Sequence, residues 1–296
     1  MKIVLTGSLG HISLPLTKEL LQRGHTVTVI SSKADRKKEI EALGAKAAIG
    51  QVEDADFLTA TFKGADAVYT MIPPGNYFNT DFDVMAHCKK LANNFSQAIQ
   101  ASGVKRVVHL SSIGAHMNKG SGLILFHRAV EDILDKLPGV GITFMRPVGF
   151  YYNLYSFVPL IKRDSLIASN FGGDKMLIWV SPIDIASAIA EEIVTPLSGR
   201  KVIYVASDLL TGNETARILG EAIGKPDLKW FVIPDEQAKT GLIAAGMNPS
   251  IAAGMVEMYN AQQSGLLTED YYLHPPKALG KVKLKDFAKE FANAFK

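Results

Sequence analysis

The sequence predicts an α/β fold: a doubly wound parallel sheet with a smaller, interleaved C-terminal α/β lobe. Three observations predict it. Short apolar runs rich in β-branched residues alternate with helical patterns over the first 110 residues, the order that builds a parallel sheet with helices on both faces. The first of these units, Met1 to Ser13 (MKIVLTGSLGHIS), joins a strand to a helix through a turn with two glycines. Beyond residue 150 the alternation loosens, and aromatic and small-residue stretches take over.

Ile3, Val4 and Leu5 make the first strand, the apolar run of a buried parallel strand. Thr6-Gly7-Ser8-Leu9-Gly10 is the turn, and a helix begins near His11 and Ile12 and runs to Gly24. Glycines let a backbone turn tightly and approach a ligand. A helix N-terminus offers unpaired N–H groups to an anion such as a pyrophosphate. Thr6, Gly7, Leu9, Gly10, His11 and Ile12 are therefore expected to cradle a dinucleotide. Ser13 stands where such motifs often carry a third glycine. His25 to Ile30 (HTVTVI) is the second strand, followed by Ser31, Ser32, Lys33 and Arg36. An acidic residue here would hold the ribose hydroxyls of NAD, whereas hydroxyls with a cation suit the 2′-phosphate of NADP. No Asp or Glu lies between Ile30 and Asp35, so NADP is favoured over NAD.

Asp35 to Leu43 is helical, and Lys46 to Ile49 is a third strand. Gln51 and Val52 follow, at the place of an adenine. Asp56 to Phe62 is a short helix. Ala67 to Ile72 is a fourth strand ending in Pro73-Pro74-Gly75, so Met71, Ile72 and Pro73 are expected beside the cofactor and Pro74 beside a substrate. Asn79 to Ser102 reads as one long helix, and Val104 to Leu110 as a fifth strand ending in Ser111-Ser112. Ligands in doubly wound sheets lie beyond the carboxyl ends of the strands, which gathers all these segments around one crevice.

Leu123 to Leu137 is a helix with His127 and Glu131 four apart on one face. Gly141 to Arg146 is a sixth strand, followed by Pro147-Val148-Gly149-Phe150-Tyr151-Tyr152-Asn153. Pro147, Gly149 and Phe150 are expected to touch the cofactor. Phe150, Tyr151, Tyr152 and Asn153 either line a flat substrate or form an aromatic core corner. Further strands are expected at Leu177 to Val180, Lys201 to Ala206 and Lys229 to Ile233. Helices are expected from Ser181-Pro182, over Asn213 to Gly224, on either side of Asn248-Pro249, and from Leu284 to Phe295. Residues 1–150, with returning segments near 177–206, form the expected dinucleotide-binding domain; residues 151–296 are mainly a substrate-covering lobe.

Composition narrows the function classes. The 296 residues are 47% apolar with a net charge of +3 and no long basic run, which argues against a nucleic-acid surface. No apolar run reaches the ~18 residues of a membrane span. Cys88 is the single cysteine, so no internal disulfide forms and a reducing compartment fits. With a strand already at the first residues rather than a signal pattern, a cytoplasmic protein acting on a small molecule is expected, with no metal.

Assembled, these residues resemble the NmrA-like family of atypical short-chain dehydrogenases/reductases, a Rossmann-type fold. The likeness is carried by TGSLGHIS, VVHLSSIG, HRAVEDIL, MRPVGFYYN, VSPIDIASAIA and LTGNETARILGEAIGKP. It is strongest to the quinone-oxidoreductase-like and azoreductase-like branch. The resemblance implies an NAD(P)H-dependent oxidoreductase that passes hydride from NADPH to a flat, electron-poor substrate such as a quinone. The Tyr-x-x-x-Lys pair of typical short-chain dehydrogenases is absent: no tyrosine has Lys four residues on. His127 lies on the helix where that pair would stand and, with Glu131, resembles the His-x-x-x-Glu pattern of the quinone-reductase branch. His127 and Tyr151 are thus the candidates to assist a developing oxyanion. The missing pair also leaves open a redox sensor that binds NADP(H) without turnover and acts on a protein partner or as a homodimer.

Overall fold

A computed structural model describes residues 1–296. In chain order the strands are β1 (Lys2–Leu5), β2 (Thr26–Ser31), β3 (Lys46–Ile49), β4 (Ala67–Met71), β5 (Arg106–Leu110), β6 (Gly141–Pro147), β7 (Gly149–Phe150), β8 (Leu166–Ser169), β9 (Met176–Val180), β10 (Arg200–Val205), β11 (Asp208–Thr211) and β12 (Lys229–Val232). The α-helices are α1 (Ser13–Gln22), α2 (Arg36–Ala42), α3 (Ala55–Phe62), α4 (Val84–Ser102), α5 (Leu125–Leu134), α6 (Val158–Asp164), α7 (Pro182–Glu192), α8 (Gly212–Ala222), α9 (Asp235–Ala244), α10 (Pro249–Ser264), α11 (Glu269–Leu273) and α12 (Leu284–Phe291).

Seven strands form the central sheet in the order β10-β6-β5-β4-β1-β2-β3, and every neighbouring pair is parallel. The period-2 alternation of a strand divides its side chains between the two faces. Ile3 and Leu5 of β1 join the core beneath α1 and α7, with Leu16, Leu20, Ile185 and Ile189. Val4 joins the opposite core, with Leu58 and Phe62 of α3, Leu91 and Phe95 of α4, and Leu134 of α5. Burial on both faces explains why these strands read as continuous apolar runs. The chain reverses its winding between β1 and β4, so the crevice opens beside their carboxyl ends, at the switch point.

The lobe has its own core, built from Tyr151, Leu154, Phe171, Trp179, Trp230, Phe287 and Phe291 among others. Two small sheets belong to it, β11-β9-β7 and β12-β8. Of the segments expected to return to the main sheet, only β10 does so, beside β6. β9 pairs with β7 and β11 instead.

Some boundaries differ from the sequence expectation. The helix expected from Asn79 starts at Val84, capped by the Asp83 carboxylate, which accepts from the Ala86 N–H at 2.9 Å. The carbonyls of Asn79 and Thr80 are taken by the Asn248 side chain at 3.0 and 2.9 Å, so the segment before Val84 is held as a loop. The terminal helix tightens into a 3-10 turn at Ala292–Phe295. No helix is long and apolar enough to cross a membrane.

Candidate active site

Two adjoining cavities occupy the crevice. The first, about 700 Å³, is lined by Thr6, Gly7, Ser8, Gly10, His11, Ile12 and Ser13 after β1. Ser31 and Ser32 after β2, Gln51, Val52 and Glu53 after β3, and Met71, Pro73 and Pro74 after β4 complete that wall, with Phe150 and Tyr152. Gly7 has φ +89°, and a Cβ there would meet the Ser13 Oγ at 2.6 Å and Met71 Sδ at 3.3 Å, so only glycine keeps this turn unstrained. Ser13 is buried and donates its hydroxyl to the Thr6 carbonyl at 2.9 Å. The N–H groups of His11, Ile12 and Ser13 make no backbone hydrogen bond. A side-chain-free cradle with free N–H groups at the start of α1 fits a pyrophosphate.

One expectation needs correction here. Leu9 does not line the cavity; its side chain packs against the core beneath α1, because the turn aims it inward. Lys33 and Arg36 are also outside the wall. Arg36 is ion-paired with Glu39 one turn on. Ser31 is buried, and its hydroxyl accepts from Ser8 Oγ at 2.9 Å. That leaves the exposed Ser32 as the free hydroxyl at the end of β2.

The second cavity, about 600 Å³, opens beside the first and shares Met71, Pro73, Pro74, Gly75, Phe82, His87, Leu110 and Phe150 with it. Ile72, Ser111, Ser112, His127, Pro147, Gly149 and Asn153 line it as well. None of its 35 lining residues is Asp, Glu, Lys or Arg. Its roof was not foreseen from the sequence. Met255, Met258, Tyr259 and Gln262 of α10, with Met247 before it, line this cavity. The available signal is their 0, 3, 4, 7 spacing, a helical face that any core helix would also show. Gly122 allows the roof to come close: its missing Cβ would lie 1.9 Å from the Gly254 carbonyl oxygen.

A buried ionic chain stands behind this cavity. Ser111 donates to Glu131 Oε1 at 2.5 Å. Arg146 grips the same carboxylate through Nε at 2.9 Å and an Nη at 2.6 Å, and reaches Asp270 at 3.2 Å. Burial works against the Arg146 charge, but the Glu131 carboxylate outweighs it and holds the guanidinium protonated. Glu131 is therefore committed to Arg146 and Ser111 and makes no hydrogen bond to His127.

His127 itself is half-buried, with the Phe126 ring tilted against it at 4.1 Å between centroids. Its Nδ1 is buried without a partner. Burial first, and then the charge of His109, push its pKa down to about 3. At neutral pH it is an uncharged imidazole rather than a proton donor poised near 7. Tyr151 lies outside both cavities. It is fully buried, stacked on Phe287 at 5.4 Å, and donates to Asp208 at 2.8 Å. Burial first and then Asp208 raise its pKa, so it serves as a core aromatic and not as a hydroxyl of the site. Tyr152 lines the first cavity rather than the second, with its ring 3.7 Å from that of His11. Cys88 lines the second cavity, but burial raises its thiol pKa to about 12.

Residues 7–151 match the NAD(P)H-binding family model. The chain is 25% identical, over 99% of both sequences, to an NAD(P)H azoreductase of Xenophilus azovorans. Among solved structures it is similar to the triphenylmethane reductase of Citrobacter sp. complexed with NADP(H). That likeness has a TM-score of 0.77 and 18% identity, covering 98% of this chain and 99% of the other. An NADPH-dependent quinone oxidoreductase of Escherichia coli complexed with NADPH aligns with a TM-score of 0.73 and 17% identity, again over 98% and 99%. Residues 7–151 are thus similar to the NAD(P)H-binding family, and the whole chain shares the Rossmann-type α/β fold of these solved structures.

Proposed function

We propose that this protein is an NADPH-dependent reductase of flat, electron-poor acceptors such as quinones. The observation that carries the proposal is the pairing of the two cavities. One is a phosphate cradle with a polar wall; the other is an apolar chamber of about 600 Å³ that shares Met71, Pro73, Pro74 and Phe150 with it. A shared wall suits an acceptor stacked against the reactive end of a cofactor that lies in the first cavity. The reduced nicotinamide, when bound, supplies the hydride.

The chain's own residues bind, orient and exclude water. Gly7, Gly10 and the start of α1 hold the pyrophosphate, and Ser32 stands at the ribose end. The aromatic and methionine walls enclose the acceptor. The neutral His127 offers a hydrogen bond rather than a full charge, which suffices for quinones because they accept hydride readily without a strong acid. The relatives named as quinone oxidoreductase and azoreductase support this substrate class.

The test is NADPH oxidation by the purified protein across a panel of quinones, azo dyes and triphenylmethane dyes. Quinone-dependent turnover is expected. Binding of NADPH with no turnover on any acceptor would replace this reading with that of a redox sensor.

A further inference from the structure

Resting on the reductase reading above, we infer that the acceptor carries no negative charge. The second cavity admits uncharged aromatic rings and excludes their sulfonated or phosphorylated counterparts. The argument comes from the wall. Its residues include no lysine or arginine to receive an anion. The start of α4, whose Val84 stands at the wall, is already occupied by the Asp83 carboxylate. The face that α10 turns to the cavity is Met255, Met258, Tyr259 and Gln262, all uncharged. His127 is held neutral by burial. The remaining imidazole, His87, stands at the boundary with the first cavity, beside Phe82 at 5.2 Å between ring centres.

An anionic ring entering this chamber gives up its water and meets no counter-charge. That desolvation is the dominant cost of burying an ion. An uncharged ring of the same shape loses no such hydration and gains contact with polarisable sulfurs and aromatic faces.

The test pairs menadione with the naphthoquinone sulfonate in which sulfonate replaces the ring methyl. Both are assayed with the full chain and NADPH at the same mildly alkaline pH. Sulfonate withdraws electrons and makes the ring intrinsically the better hydride acceptor, so a lower rate reports exclusion. We expect kcat/KM for the sulfonate to be lower by about 100-fold. Equal values would overturn the inference.

Gln262→Lys places an ammonium on the α10 face and is expected to narrow the ratio by about tenfold. Met255→Lys repeats the test at another point on that face if the first variant does not fold. An unchanged ratio in a folded variant would also overturn it. Equilibrium binding of each quinone, followed by quenching of tryptophan fluorescence, separates this inference from the reading on which it rests, since Trp179 lines the cavity. If neither quinone is reduced yet menadione binds and the sulfonate does not, the reductase reading falls and the charge selection stands. If both bind alike, the charge selection falls whatever the turnover.

Discussion

Ser13 Oγ donates a 2.9 Å hydrogen bond to the carbonyl oxygen of Thr6. The residue in the third-glycine position therefore closes the phosphate turn from inside. Its hydroxyl fills the space above Gly7 that a Cβ on Gly7 would otherwise invade. Ser13→Gly, which restores the commoner motif, is expected to lower stability by about 1–2 kcal/mol through the lost hydrogen bond and the weaker helix start. It is also expected to weaken NADPH binding. Urea unfolding and a fluorescence titration check both; tighter cofactor binding in Ser13→Gly would refute the role.

Asn248 ties the roof to the loop after β4. Its side-chain amide donates to the carbonyls of Asn79 and Thr80, its own N–H donates to the Tyr77 carbonyl at 2.9 Å, and its Oδ1 caps α10. Asn248→Ala is expected to cost about 1–3 kcal/mol. It should raise KM for the acceptor more than KM for NADPH, because the roof lines only the second cavity. A steady-state comparison of the two constants decides it.

Glu131 and Arg146 are both nearly fully buried. Removing one charge leaves the other unpaired, so Glu131→Gln is expected to destabilise the fold by about 3–5 kcal/mol. The Gln amide oxygen still accepts from the Ser111 hydroxyl, so the loss reports the charge pair itself. A double variant, Glu131→Leu with Arg146→Met, should recover much of the stability in chemical denaturation but not the position of Ser111.

Acid should destabilise the protein in a definite window. His109 is completely buried, donor or acceptor to Thr70 Oγ1 at 2.9 Å, and burial lowers its pKa from 6.5 to about 3. Below pH 6.5 the unfolded chain takes up a proton that the native imidazole refuses. Stability is thus full above about pH 6.5 and falls as pH drops toward 3, by roughly 1.4 kcal/mol per pH unit for this histidine. His127 acts in the same direction. Urea midpoints measured between pH 7 and 5 should show the slope, and His109→Phe should reduce it. For the same reason the rate profile should show no ionisation of His127 near neutrality.

Lys33 and Arg36 are the cations nearest in sequence to Ser32. If they reach a 2′-phosphate, as the NADP preference requires, replacing both by Ala should weaken NADPH binding by roughly 1.5–3 kcal/mol and NADH binding little. Equal losses for the two cofactors would remove the basis for that preference.

Most of the sheet was readable because it is local. β1 to β6 are short apolar runs bounded by glycine or polar turns, and each of β1 to β5 is followed by a helix with its own periodicity. What escaped were elements with little local pattern: the two-residue β7, the short β8 and β11, and helices α6 and α11. These exist because of distant partners, as when β7 pairs with β9 and β8 with β12. The phosphate turn and the strand ends were legible for the same reason as the sheet.

The sequence by itself determined that a glycine turn follows β1 and that the strand ends share one edge, since both depend on residues adjacent in the chain. Only the tertiary structure decided which side chains face the crevice. Tyr151 and Tyr152 are neighbours in sequence, yet one is buried against Phe287 and the other lies against His11. Likewise His127 and Glu131 share a helix face, but Arg146 claims the carboxylate and burial neutralises the imidazole. Burial, charge pairing and the roof of α10 arise from contacts between separate elements, 15 residues apart for Arg146 and Glu131 and far more for Tyr151 and Phe287, and no spacing rule within one segment encodes them.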